Sequence, residues 1–143
     1  PEESGATPQG VFAVGGWGGV ILFCDGSACT PMESWTDQCL LDVWGTDYMN
    51  VFAVGTNGTI LHFDGTAWSH MASGTSAHLE HVWGTSRRDV YAAGDGGTIL
   101  RFDGRSWRRM SSGTPLDLFC VWGGPGGDVF AAGSSGAILR CQP

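Results

Sequence analysis

The chain contains no lysine; all seven of its side-chain cations are arginine, and all lie between Arg87 and Arg140. With 14 acidic residues the formal charge is −7 and the pI about 4.7. An acidic chain without a basic stripe excludes nucleic acid as the expected partner, because that binding rests on many phosphate contacts. It excludes an anionic membrane surface on the same ground. The arginine-free first half is strongly acidic, an asymmetry that could order subunits head to tail or simply reflect a solvated surface.

Other absences narrow the class further. No run is long and apolar enough to span a membrane, and no signal peptide is visible. The opening residues 1–10 read as a linker or tail, so the chain reads as a mature or excised piece. The five cysteines, Cys24, Cys29, Cys39, Cys120 and Cys141, form no CxxC pair, which argues against a zinc ribbon or a thioredoxin-like site. Disulfides fit better and point to a secreted or cell-surface protein. The odd count leaves one cysteine free or intermolecular. Gly-x-Ser-x-Gly, Walker-type loops and His-Glu-x-x-His are all absent, so no nucleophile, nucleotide or zinc-peptidase motif appears. The expectation is a non-enzymatic protein with no cofactor. Helical periodicity is missing, and so is the period-three glycine of collagen.

What remains is rich in glycine (24) and tryptophan (7), with 42% apolar residues. Both excesses follow from a repeat. Val51-Phe-Ala-Val-Gly55 returns as Val90-Tyr-Ala-Ala-Gly94 and Val129-Phe-Ala-Ala-Gly133, 39 residues apart, and is anticipated by Val11-Phe-Ala-Val-Gly15. Thr59-Ile-Leu-His-Phe-Asp-Gly65 returns as Thr98-Ile-Leu-Arg-Phe-Asp-Gly104, with Val20-Ile-Leu-Phe-Cys-Asp-Gly26 and Ala137-Ile-Leu-Arg-Cys141 as the outer copies. Ala67-Trp-Ser-His-Met71 matches Ser106-Trp-Arg-Arg-Met110. Asp42-Val-Trp-Gly45, His81-Val-Trp-Gly84 and Cys120-Val-Trp-Gly123 complete the set. Each piece is a short β-branched or aromatic run bounded by turn residues, hence a strand. In order within the repeat, strand A ends in Val-Trp-Gly, B is Val-Phe-Ala-Val-Gly, C is Ile-Leu-x-Phe and D is x-Trp-x-x-Met. Asn57-Gly58 and Gly96-Gly97 make B–C turns and Asp-Gly makes C–D turns.

Gly-x-x-Gly-x-Ile-Leu followed by Phe-Asp-Gly-x-x-Trp resembles the blades of kelch-type and sialidase-type (Asp-box) propellers, including the photosystem II assembly factor group. The resemblance covers nearly all of residues 11–141 and implies an all-β β-propeller of four-stranded antiparallel blades. The blades run 11–39, 40–78, 79–117 and 118–143. The count is B-C-D, A-B-C-D, A-B-C-D, A-B-C, fourteen strands or three and a half blades. Exposed edges are a liability, so a homo-oligomer, a segment of a longer propeller and an imperfect four-bladed ring are the open alternatives.

The periodic Trp44, Trp83, Trp122, Trp68 and Trp107 read as core wedges. Trp17 in a B–C turn and Trp35 in a D–A connection break the repeat, so they are candidate ligand platforms or contacts to a neighbouring blade. Asn57, Asp95 and Ser134 vary at equivalent B–C turns and complete the candidate binding set. Cys39, His78 and Asp117, with Asp42, His81 and Cys120, could ring a channel mouth. Their types suit metal, but residues three apart on a strand face opposite ways unless a bulge intervenes, so polar inter-blade packing is the expectation and no metal site is assigned. Asp25, Asp64 and Asp103 read as turn formers. Cys24 and Cys29 occupy slots held elsewhere by Phe63 and Trp68, or Phe102 and Trp107, so a cross-hairpin disulfide is expected; Cys39, Cys120 and Cys141 are further candidates.

Three functions follow: a binding module for a glycan or protein ligand, acting through blade loops; a self-assembling ring or filament; and a fragment of a propeller enzyme such as a glycosidase. The first is expected.

Overall fold

The structure, a computed structural model, describes residues 9–124 and 126–142. The linker expected at residues 1–10 lies outside the described residues except for Gln9 and Gly10. Among the described residues fourteen strands form four antiparallel sheets. The first holds β1 (Val11–Gly15), β2 (Val20–Cys24) and β3 (Cys29–Met32). The second holds β4 (Leu40–Asp47), β5 (Asn50–Gly55), β6 (Ile60–Phe63) and β7 (Trp68–His70). In the third are β8 (Leu79–Ser86), β9 (Asp89–Gly94), β10 (Thr98–Phe102) and β11 (Trp107–Met110). The fourth has β12 (Leu118–Gly123), β13 (Val129–Gly133) and β14 (Ile138–Cys141). Strand order within each sheet is sequence order. These are the blades B-C-D, A-B-C-D, A-B-C-D and A-B-C of a β-propeller. Among the described residues no helix is long and apolar enough to cross a membrane.

Successive side chains of a strand face opposite ways, and here both ways are core. Val51, Ala53, Leu61, Phe63 and Trp68 of the second blade pack with Ile21 and, half-buried, Phe12 and Met32 of the first. The alternate residues Phe52, Val54 and Ile60 pack with Val82, Val90, Ala92, Leu100, Phe102 and Trp107 of the third. Tyr91, Ala93 and Ile99 then meet Val121, Val129, Ala131 and Leu118 of the fourth. Strand B is therefore apolar throughout because it is sandwiched between blades. The A strands β4, β8 and β12 lie side by side along one edge of the stack.

The tryptophan of strand A is the wedge between blades. Trp44 stacks on Phe52 of its own blade at 6.5 Å between centroids, and Trp83 on Tyr91 at 6.4 Å. A Cβ on Gly84 would lie 2.7 Å from the Trp44 ring, and the Trp83 ring covers Gly123 in the same way, so only glycine fits there. Trp122 stacks on Phe130 at 5.8 Å but is 42% exposed. It departs from the core role of its repeat because no described blade follows to cover it. Ile138 is exposed on the same face. On the opposite flank Val11 is 68% exposed, against 5%, 0% and 2% for its equivalents Val51, Val90 and Val129. Cys24 and Cys29 form the expected disulfide. It replaces a Phe–Trp pair that, in the second and third blades, fills the contact with the preceding blade. Cys39, Cys120 and Cys141 form no disulfide within the chain.

Candidate functional site

Each connection from strand D to the next strand A carries Ser-x-Thr: Ser34-Trp35-Thr36, Ser73-Gly74-Thr75 and Ser112-Gly113-Thr114. Ser73 Oγ donates to the Thr75 carbonyl at 3.1 Å, and Ser112 Oγ to that of Thr114 at 3.1 Å; Ser34 Oγ does the same to Thr36 at 3.4 Å. The threonine Oγ1 then accepts the N–H two residues on, from Gln38, Ala77 and Leu116 at 3.1–3.2 Å. This locks a sharp turn whose middle residue must be left-handed. Gly74 and Gly113 have φ 72°, a region open to glycine. Trp35 adopts φ 59° at the same position, where an L-residue is strained. Its indole is 71% exposed.

Trp35 lies between two grooves. One, of about 770 Å³, runs between the first blade's B–C turn (Gly18, Gly19) and its D–A connection, with Met32, Glu33 and His70 in its walls. The other, of about 420 Å³, lies on the far side between Phe23, Met32, Ala67 and Trp68. The Trp35 carbonyl is 2.8 Å from His70 Nε2 on β7, which pins the connection to the second blade. Trp17, on the adjacent B–C turn, is 90% exposed. Glu33 and Asp37 flank the connection, with no arginine in this half of the chain.

The sequence-derived binding residues share a face, because B–C turns and D–A connections emerge at the same end of every sheet. They do not share a pocket. Trp17 and Trp35 belong to the first blade; Asn57, Asp95 and Ser134 repeat around the arc in single 3-10 turns, Thr56–Gly58, Asp95–Gly97 and Ser134–Gly136. Asn57 is a joint: its N–H donates to His78 Nδ1 at 3.0 Å and its Nδ2 donates to Gln38 Oε1 at 2.6 Å. Among the described residues the side chains of Asp95 and Ser134 make no hydrogen bond and remain half-buried. Met32, Glu33 and His70 were missed by sequence reasoning, since the groove they form arises only when two blades meet. The Ser-x-Thr recurrence at the repeat spacing was the available signal.

Of the Cys/His/Asp positions, Asp42, His78, His81 and Asp117 are inter-blade joints, whereas Cys120 Sγ lies 4.0 Å from the Ala132 carbonyl of its own blade. Asp42 Oδ2 accepts the Val82 N–H at 2.8 Å, and His81 Nδ1 accepts that of Val121 at 3.2 Å. Asp117 Oδ1 accepts the Gly96 N–H at 2.8 Å. A register shift between Leu79 and His81 puts a bulge between the two histidines. Even so, His78 reaches back to the second blade and His81 forward to the fourth. No cluster of three or more ligating side chains occurs among the described residues. On the other end of the sheets, Asp25, Asp64 and Asp103 Oδ1 each accept two backbone N–H groups at 2.8–3.0 Å. These bonds hold all three carboxyls below the usual range, Asp25 at about 2.

No protein-family model and no curated protein matches the chain. Solved structures do. A structure described as YCF48 bound to D1 peptide superposes with a TM-score of 0.75 at 17% identity, covering 96% of this chain and 49% of that one. YCF48 from Cyanidioschyzon merolae gives 0.73 at 21% identity, covering 92% and 47%. At such identities the likeness shows the fold alone. The chain has the blades of a β-propeller and spans about half the length of the solved propellers it matches.

Proposed function

We propose that this chain is a non-enzymatic protein-binding module whose recognition surface is the B–C and D–A face of the first blade, centred on Trp35 with Trp17 beside it. The strain at Trp35 carries the reading. Two of three equivalent turns use glycine, and the third holds an exposed indole in a backbone conformation that costs about 1–2 kcal/mol for an L-residue. A cost that the fold does not require points to function. Large aromatics at a groove are the side chains that dominate protein recognition. Glu33 and Asp37 make the surface acidic, which suits an extended segment carrying an apolar anchor and Lys or Arg. That a YCF48 structure holds a peptide supports a peptide ligand.

Glycan is the second reading, favoured by the open indole of Trp17, onto which a sugar face could stack. The Cys24–Cys29 bond supports an oxidising setting, secreted or at a cell surface. Self-association is supported by the exposed apolar flanks at Val11 and at Trp122 and Ile138. The test is to pan a displayed random peptide library on the protein. Recovered peptides should be basic with an apolar anchor, and should lose at least tenfold in affinity on Trp35→Ala. Peptides that bind that variant unchanged, or a glycan array hit lost on Trp17→Ala while no peptide is recovered, would overturn the protein-binding reading.

A further inference from the structure

The residue that opens strand B and a matching residue on strand C form a charged couple in the third and fourth blades. Arg101 Nε donates to Asp89 Oδ1 at 2.9 Å, and Arg140 Nη2 donates to Asp128 Oδ1 at 2.6 Å. In the second blade the same two places hold Asn50 and His62. In the first they hold Gly10 and Phe23. Phe23 meets Tyr48 of the next blade edge-on at 5.4 Å, so aromatic rings fill that cleft.

The cleft between the second and third blades is built differently. Arg87 and Arg88, in the A–B turn of the third blade, stand where the second blade has Tyr48 and Met49 and the fourth has Gly126 and Gly127. With Asn50, His62 and Met71 they line a hollow of about 280 Å³. An adjoining hollow of about 260 Å³ shares His62 and Met71 and adds Arg105 and Ser106. Among the described residues the arginines in ion pairs are Arg101, Arg108 and Arg140; Arg87, Arg88 and Arg105 have no such partner. The carboxylates around the cleft are engaged elsewhere. Asp47 accepts the Met49 N–H at 2.8 Å and the Asn50 Nδ2 at 3.2 Å, and Asp64 and Asp103 each accept N–H groups of their own turns. Burial outweighs the nearby Asp64 and holds the His62 imidazole below its usual range, so His62 is neutral at neutral pH. In a chain of net charge −7, this cleft is cationic, and Asn50 stands where the third and fourth blades supply the balancing Asp.

We propose that the cleft between the second and third blades is a binding site for a phosphoryl group, held by the guanidinium groups of Arg87 and Arg88, with Arg105 at the rim and Asn50 and His62 beneath. A side-chain carboxylate brings one charge, which one arginine fork satisfies. Three arginines over an uncharged floor match a group with more charge and more acceptors. A phosphoryl group carries about −1.5 to −2 at neutral pH and three strong acceptor oxygens. Arginine is suited to it by its planar fork of donors and its permanent charge. The neutral imidazole of His62 adds one more N–H, and the Asn50 amide is polar without repelling an anion. The other two clefts lack the means. Between the first and second blades the walls are aromatic, and between the third and fourth Arg101 is already bound to Asp89. The site is centred on A–B and C–D turns, at the opposite end of the sheets from the Trp35 face, so the two proposals stand or fall separately.

The probes are inorganic phosphate and the monoester N-acetyl-phosphoserine amide, each added to the isotope-labelled whole chain at about 0.15 M ionic strength, where exposed charges more than about 8 Å apart are screened. The Nε–H resonances of Arg87, Arg88 and Arg105 and the ring of His62 should shift and saturate at millimolar phosphate. Arg87→Gln with Arg88→Gln should weaken binding about tenfold or more. So should Asn50→Asp, which restores the carboxylate that the same place carries in the third and fourth blades and is therefore compatible with the fold. Arg109→Gln removes an exposed arginine that lines neither hollow and should leave binding unchanged. Equal affinity for the monoester identifies a phosphoryl group carried on a larger molecule, and binding of inorganic phosphate alone identifies the free ion; both support the site. Shifts no larger than those from sodium chloride of equal ionic strength, shifts centred outside the cleft, an equal loss in Arg109→Gln, or undiminished binding to Asn50→Asp would each overturn the proposal.

Discussion

Replacing Trp35 by glycine and by alanine separates the backbone of the recognition turn from its ring. Both variants lose the indole, so every contact it makes cancels between them. They differ in the left-handed conformation at φ 59°. An L-residue there costs about 1–2 kcal/mol, and glycine gives back about 0.5–1 kcal/mol through its freer unfolded chain. Trp35→Gly should therefore be more stable than Trp35→Ala by about 1 kcal/mol, reversing the usual order of glycine and alanine. For a chain of this size that is about 2–4 °C in Tm, readable by calorimetry or urea melts at neutral pH. Gly74→Ala and Gly113→Ala should lose a similar amount from wild type. A Cβ at either position meets nothing within 4 Å, so only backbone strain is added. If Trp35→Ala proves as stable as Trp35→Gly, the turn is not held left-handed and the strain on which the recognition surface rests does not exist.

Cys24→Ser with Cys29→Ser should cost about 2 kcal/mol, the loop-closure value for so short a loop, and reductant should lower the wild-type Tm to that of the variant while leaving the variant unchanged. The carboxyls of Asp25, Asp64 and Asp103 titrate lower folded than unfolded, so their stabilisation is present at neutral pH and is lost as pH falls from about 5 through the lowered folded values, about 2 for Asp25; melts from about pH 5 downward should show that decline, flattened by Asp64→Asn with Asp103→Asn. Asp42→Ala should cost about 1–2 kcal/mol by leaving the Val82 N–H without an acceptor. In a double-mutant cycle it should couple to His81→Ala, whose Nε2 lies 3.6 Å from Asp42.

Strand order and blade composition were legible because the repeat imposes them: Val-Phe-Ala-Val-Gly recurring with Ile-Leu-x-Phe between turn residues reads as short strands, while their packing on both faces emerged only in the structure. Tyr91 as core followed from its place in the Phe52 slot. The disulfide was legible for the same reason, two cysteines standing where a Phe–Trp pair packs across a hairpin. Joints between blades were not. That His78 reaches back to the second blade and His81 forward to the fourth is set by how neighbouring blades stack, which leaves no mark in a short apolar run. Trp122 looked identical to Trp44 in sequence, since what distinguishes them is whether a neighbouring blade covers the ring. Trp35 was visible as a break in the repeat, standing where Ser-Gly-Thr recurs; its left-handed backbone, which makes that replacement costly, is disclosed only by the φ of the turn.

The most direct test is to map the binding of a library-selected peptide on the chain by amide chemical shifts. Recognition on the B–C and D–A face predicts changes at residues 17–19, 31–37 and 70, with Trp17 and Trp35 most affected. Changes centred instead on the turns at Asp25, Asp64 and Asp103, at the opposite end of the sheets, would contradict it.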